Sequence, residues 1–206
     1  MKNVIIFGDS YSTFEGELPE KHTFYYPKMD VTKKEDTWWW QFFKRSGYKL
    51  IYNDSWSGST IGYTGYNNYD CSKTSSFICR YKKLKNDGYF NNKDVDLIIV
   101  FGGSNDSWSD APLGEMMFSD WKEEDLYKVL PAISYFLSSL RNDFPKSEIL
   151  FVINNGIKNE MKDSIITYSK FYGIKYVELH DIEKINDHPT KNGMNAICNQ
   201  ILEEVS

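Results

Sequence analysis

Ser10, in the stretch FGDSYS, and His188, in NDHPT, are two side chains whose types suit nucleophilic chemistry when they act together. A serine hydroxyl is a poor nucleophile until a base takes its proton, and imidazole titrates where such a base is useful. Acyl transfer also needs donors for the negative oxygen of a tetrahedral intermediate, and removing one typically costs on the order of 10²–10³ in kcat. Gly58, in NDSWSGST, offers a backbone N–H with no Cβ in the way of an approaching group, and Asn105, in FGGSND, offers a side-chain amide. Each residue also has a plainer role. Ser10 suits an N-cap or turn, His188 beside Pro189 a turn before the last helix, Gly58 a turn, and Asn105 a loop position bonding its own backbone. Taken singly, the plainer roles are the commoner ones. Against them stands the coincidence of all four at one place in the fold.

That place follows from the elements. Apolar runs at 4–7, 95–101, 148–153 and 174–179 read as buried strands, with 49–55 a weaker fifth. Helical patterns at 37–46, 72–85, 123–142, 159–172 and 190–204 lie between and after them, and Gly47, Gly88 and Gly173 are placed to end three of these. Strands apolar on both faces, alternating with helices, predict a parallel sheet between helix layers: an α/β/α three-layer sandwich of about five parallel strands. In such a sheet, ligands bind beyond the carboxyl ends of the strands. There the chain places Gly8-Asp9-Ser10, then Asn53 to Gly58, then Gly102 to Asp106, then His180-Asp181, with His188 a few residues on. The stretches 8–36 and 104–122 read as irregular, and loops of that length are usually functional or mobile. With no internal repeat, low-complexity tract or Pro/Gly-rich linker, one domain over 1–206 is expected.

Composition narrows the partners. The net charge is −5 and no basic stripe occurs, which argues against a nucleic acid or an anionic membrane. Cys71, Cys79 and Cys198 are widely spaced and odd in number, so free buried thiols are expected rather than a disulfide framework or a zinc site. Nothing approaches the ~18 apolar residues of a membrane span, and the apolar run after the N-terminus is too short for a signal peptide. A cytoplasmic protein is the expectation, although a chain trimmed of a signal peptide would read the same.

FGDSYS, NDSWSGST, FGGSND and HPT followed by Gly193 resemble, in order and at strand ends, the four blocks of the SGNH or GDSL-type hydrolase family. The resemblance spans nearly the whole chain. It implies a flavodoxin-like sheet and hydrolysis of an ester, with Ser10 as nucleophile and His188 as general base and later acid. The N–H groups of Ser10 and Gly58 and the Asn105 side chain would form the oxyanion hole, with no metal or organic cofactor. The G-x-S-x-G elbow of α/β-hydrolases is not found. One position departs from the pattern. The family's triad acid usually stands three residues before the histidine, and here that residue is Ile185, which can neither orient nor stabilise an imidazolium. Asp181, at the start of the same loop, is the preferred substitute; Asp187, Glu183 or a backbone carbonyl are the alternatives. Asp187 is disfavoured because adjacent side chains in an extended loop point apart.

Aromatic residues crowd the loops of this edge: Tyr11, Phe14, Phe24, Tyr25, Tyr26, Trp56, Tyr63, Tyr66, Tyr69, Trp108 and Trp121. Such rings suit sugar faces or acyl chains, and equally pack long loops onto a domain. Trp38-Trp39-Trp40 belongs with the packing residues. Few long aliphatic side chains occur in these loops, which favours a short acyl group on a polar carrier, such as O-acetyl on a carbohydrate, over a lipase or lysophospholipase substrate. A glycan- or peptide-binding protein descended from a hydrolase is the alternative from another class. A flavodoxin-like nucleotide or phosphate binder is weaker still, since Gly102-Gly103 lacks a phosphate-loop pattern.

Overall fold

The computed structural model describes residues 2–205. Strands β1 (Asn3–Gly8), β2 (Lys49–Ser55), β3 (Leu97–Phe101), β4 (Glu148–Ile153) and β5 (Lys175–Glu178) form one parallel sheet in the order β2-β1-β3-β4-β5. This is the flavodoxin-like order, and its direction of winding reverses between β1 and β3. Register does the positioning. Gly8 pairs with Ser55 on one side and Phe101 on the other, so the segments leaving β1, β2 and β3 emerge side by side.

The helices are α1 (Trp38–Ser46), α2 (Phe77–Asn86), α3 (Ser104–Trp108), α4 (Val129–Asp143), α5 (Asn159–Tyr172) and α6 (Lys191–Val205). Side chains alternate across a strand, and both faces are apolar here. Ile5, Phe7, Ile98, Val100 and Phe151 pack against α2, α4 and α5 through Phe77, Phe136, Leu137 and Ile165. Val4, Ile6, Ile99, Phe101 and Val152 pack against α1 and α6 through Trp38, Phe42, Met194 and Ile201. Trp38 and Trp39 are buried and Trp40 half-buried, as packing residues should be.

The five parallel strands between helix layers are those expected, with ends shifted by a residue or two. Larger differences have local causes. The pattern at 72–85 becomes helical only at Phe77, because the Ser76 hydroxyl caps it by accepting the Cys79 N–H at 3.2 Å. The pattern at 123–142 divides into a 3-10 turn, Glu123–Tyr127, and α4, and Pro131, lacking an N–H, falls in the first turn of α4, where none is needed. The irregular stretch 104–122 opens with α3, whose Ser104, Asn105, Asp106 and Ser107 are all buried. A polar buried helix inverts the pattern by which helices are read. A two-stranded antiparallel hairpin, β6 (Lys184–Ile185) and β7 (His188–Pro189), also went unanticipated. The three cysteines are free, with Cys79 only half-buried. Among the described residues, no helix is long and apolar enough to cross a membrane.

Candidate active site

The chain turns immediately after β1. A Cβ on Gly8 would collide with the side chains of Ser55 and Ser12, so only glycine lets the strand end pack this closely. Asp9 then caps a 3-10 turn, Ser10–Ser12, its carboxylate accepting the Tyr11 N–H at 3.1 Å. Burial, followed by the nearby negative Asp106, pushes the Asp9 carboxyl up to about 7, although the Tyr11 N–H and Arg80 oppose the shift. Asn53 Nδ2 donates to the Ser12 carbonyl at 3.0 Å, and Trp38 Nε1 to Ser12 Oγ at 3.3 Å. Thus held, Ser10 is 5% exposed, with Oγ 3.0 Å from His188 Nε2.

His188 arrives on the β6–β7 hairpin. Asn186 and Asp187 form its two-residue turn with φ of 49° and 60°, as a type I′ turn requires and Asn and Asp tolerate. The turn brings the Asn186 carbonyl to 3.0 Å from His188 Nδ1. A carbonyl only accepts, so Nδ1 carries the proton and Nε2 presents its lone pair to the Ser10 hydroxyl. The hairpin is pinned from outside as well. The Tyr11 hydroxyl donates to the Asp187 carbonyl, the Tyr26 hydroxyl to the Pro189 carbonyl at 2.7 Å, and the Lys184 ammonium to Asn154 Oδ1 at 3.0 Å. Asn154 in turn donates to Ser104 Oγ at 2.9 Å, tying the hairpin to α3. Burial lowers the His188 pKa from its usual 6.5, more than the Asn186 carbonyl and Asp187 raise it, which favours the neutral ring that a base must present.

Asp181, expected to orient His188, does not reach it. Its side chain is 96% exposed and lies 3.0 Å from His180 Nδ1, because the chain turns outward there with φ of 53°. Glu183 instead accepts from the Thr190 hydroxyl and Asn192 Nδ2, clamping the hairpin to α6. The Asp187 side chain is exposed. Of the alternatives to Asp181, the backbone carbonyl is the group that meets Nδ1. Ile185, at the position where the family usually has its acid, pairs with His188 across the hairpin and is half exposed.

Gly58 follows β2 with φ of 80°, a conformation that glycine adopts without strain, and a Cβ there would meet no protein atom within 4 Å. Among the described residues, the Ser10 and Gly58 N–H groups have no protein acceptor. Asn105 Nδ2 donates one hydrogen to the Ser59 carbonyl at 2.9 Å, and Oδ1 accepts from the Tyr66 hydroxyl at 2.8 Å. The amide is thereby oriented with its second N–H unspent. Asp106, beside it, accepts the Ile61 N–H at 2.9 Å and the Gly62 N–H at 3.1 Å, while burial pushes its carboxyl up to about 6.

Sequence reasoning missed the residues that hold these parts together. Arg80, fully buried on α2, pairs with Asp54 at 2.8 Å and donates to the Gly8 carbonyl at 3.3 Å and Ser59 Oγ at 3.2 Å. It joins the ends of β1 and β2 to the loop carrying Gly58. Nothing in its surroundings in sequence marks it; the Asn186-Asp187 pair, by contrast, is a readable turn signal. Of the loop aromatics, Tyr11, Tyr26 and Tyr63 are core, whereas Phe24, Tyr66 and Tyr69 are exposed. Among the described residues, no three His, Cys, Asp or Glu side chains converge on a metal position.

Residues 2–205 match the model of a family described as GDSL-like Lipase/Acylhydrolase. Among solved structures, a Bacteroides ovatus protein described as a GDSL-like lipase shares 41% identity, over 98% of this chain and 97% of its own, with a TM-score of 0.91. A second, from Bacteroides uniformis, shares 40% identity over 100% and 95%, with a TM-score of 0.90. A family two carbohydrate esterase from Clostridium thermocellum is alike in fold alone, at 14% identity over 99% of this chain and 63% of its own, with a TM-score of 0.66. No curated protein matches the chain.

Proposed function

The chain belongs to the GDSL-like lipase/acylhydrolase family, and on that footing we propose that it is a serine ester hydrolase acting through an acyl-enzyme, with Ser10 as nucleophile and His188 as base. The observation that carries this reading is the 3.0 Å contact between Ser10 Oγ and His188 Nε2, with Nδ1 committed to a carbonyl. As Oγ bonds to the ester carbon, its proton passes to Nε2. The negative oxygen then meets the N–H groups of Ser10 and Gly58 and the free N–H of Asn105. The imidazolium returns its proton to the leaving alkoxide as the C–O bond breaks. Water next attacks the acyl-enzyme, giving a proton to His188, and Ser10 is released with the acid.

For the substrate we favour a short acyl group on a polar carrier such as a carbohydrate. Tyr66, whose hydroxyl meets Asn105 Oδ1, and Phe24, beside Tyr25, are both exposed, and a flat exposed ring suits a sugar face. The lipase description of the Bacteroides relatives favours a longer acyl chain. A p-nitrophenyl ester series from acetate to palmitate, together with acetate release from acetylated glycans, separates the two. The highest kcat/KM on acetate is expected; faster cleavage of octanoate would favour the lipase reading, and binding without turnover the non-catalytic one.

The pH profile is a second expectation. The base must be neutral, and a histidine with a lowered pKa stays neutral to lower pH. The kcat/KM for acetate should therefore be level above about pH 7.5 and fall through a midpoint below 6.5, the ordinary histidine value. A midpoint above 7 would contradict His188 in this role.

A further inference from the structure

We propose that Tyr25 is the positioning residue that, with the Asn186 carbonyl, does for His188 what a carboxylate does in a complete triad; this rests on the hydrolase reading above. Its ring lies parallel to the imidazole, with centroids 3.5 Å apart and planes 6° from coincident. A triad carboxylate has two tasks: it fixes the plane of the ring, and it stabilises the imidazolium formed when the serine proton arrives. A single carbonyl at Nδ1 leaves the ring free to swing about that contact. A flat face against the imidazole removes this freedom and keeps Nε2 directed at Ser10. The negative face of an aromatic ring also favours a cation stacked upon it, the second task.

Tyr25 is built into both halves of the pair it would align. Its N–H donates to Thr13 Oγ1 at 2.9 Å, and the Thr13 hydroxyl donates to the Ser10 carbonyl at 2.8 Å. The adjoining Tyr26 holds the Pro189 carbonyl, one residue beyond His188. The stack is therefore referenced to the nucleophile's turn and to the hairpin at once. The other groups facing the imidazole are the tilted Tyr11 ring at 5.4 Å, the edge of Tyr26 at 6.5 Å, Asp187 in the turn, Lys184 on β6, and Lys28. The Lys28 ammonium lies 4.4 Å over the Tyr25 ring.

Tyr25→Phe and Tyr25→Leu, compared with wild type, test this. Phenylalanine keeps the face and leucine keeps only apolar bulk, so Tyr25→Phe should retain kcat within about threefold while Tyr25→Leu loses about 10- to 100-fold in kcat with KM little changed. The imidazole ¹⁵N resonances of His188, followed through a pH titration, should match wild type in Tyr25→Phe and report a pKa lower by about half a unit in Tyr25→Leu. Equal losses in both variants, a change confined to KM, or an unaltered kcat and titration in Tyr25→Leu would overturn the proposal. A wild type with no esterase activity would refute the hydrolase reading, yet the titration would still decide whether Tyr25 governs His188.

Discussion

Ser10→Ala is expected to lower kcat for a short-chain ester by on the order of 10⁴ or more, the scale seen when a serine hydrolase loses its nucleophile. Among the described residues, Ser10 Oγ makes one side-chain hydrogen bond, to His188 Nε2, while the turn is held by the Asp9 cap, the Ser12 contacts and the Thr13 bond to the Ser10 carbonyl. The far-UV spectrum and urea midpoint should therefore stay as in wild type while turnover disappears. Because the two side chains act as one unit, Ser10→Ala combined with His188→Ala should be no slower than either alone. Turnover by Ser10→Ala within tenfold of wild type would mean that another group attacks the ester.

Arg80→Met is expected to have the largest effect on stability, a loss of about 3–5 kcal/mol in urea unfolding, because it strands a buried Asp54 without its partner. Against a total of roughly 5–15 kcal/mol, that is a large share. The guanidinium also spends Nε on the Ser75 carbonyl at 2.8 Å, besides its bonds to the Gly8 carbonyl and Ser59. Lysine cannot reproduce this fork, so Arg80→Lys should recover little. Arg80→Met with Asp54→Leu should be more stable than Arg80→Met alone, since it removes the stranded charge. An Arg80→Met protein within about 1 kcal/mol of wild type would show that the pair does not tie the strand ends together.

The sheet was legible because its central strands are apolar on both faces, a pattern few other elements share. The candidate site was legible as four blocks at strand ends, because register places Gly8, Ser55 and Phe101 side by side. What holds the histidine was not. A backbone carbonyl has no sequence signature, and two-residue strands such as β6 and β7 are too short for a period to show. Asp181 stands at the start of the loop that carries His188, but the Asn186-Asp187 turn closes a tight hairpin and leaves Asp181 outside. Tyr25 was visible as one aromatic among many, but its partner lies far along the chain, and stacking between them is a property of the folded state alone. Arg80 and Asp54 were hidden for the same reason, their pairing being settled where α2 crosses the ends of β1 and β2.

The central claim, that Ser10 is a nucleophile activated by His188, is tested most directly by treating the native protein with a phosphonofluoridate at pH 7 and mapping the adduct by peptide mass spectrometry. Attack by Oγ on phosphorus forms a P–O bond and expels fluoride. One phosphonyl group per chain is expected, on Ser10, formed far more slowly in His188→Ala. An adduct on a different residue, or none on a folded wild-type protein, would contradict it.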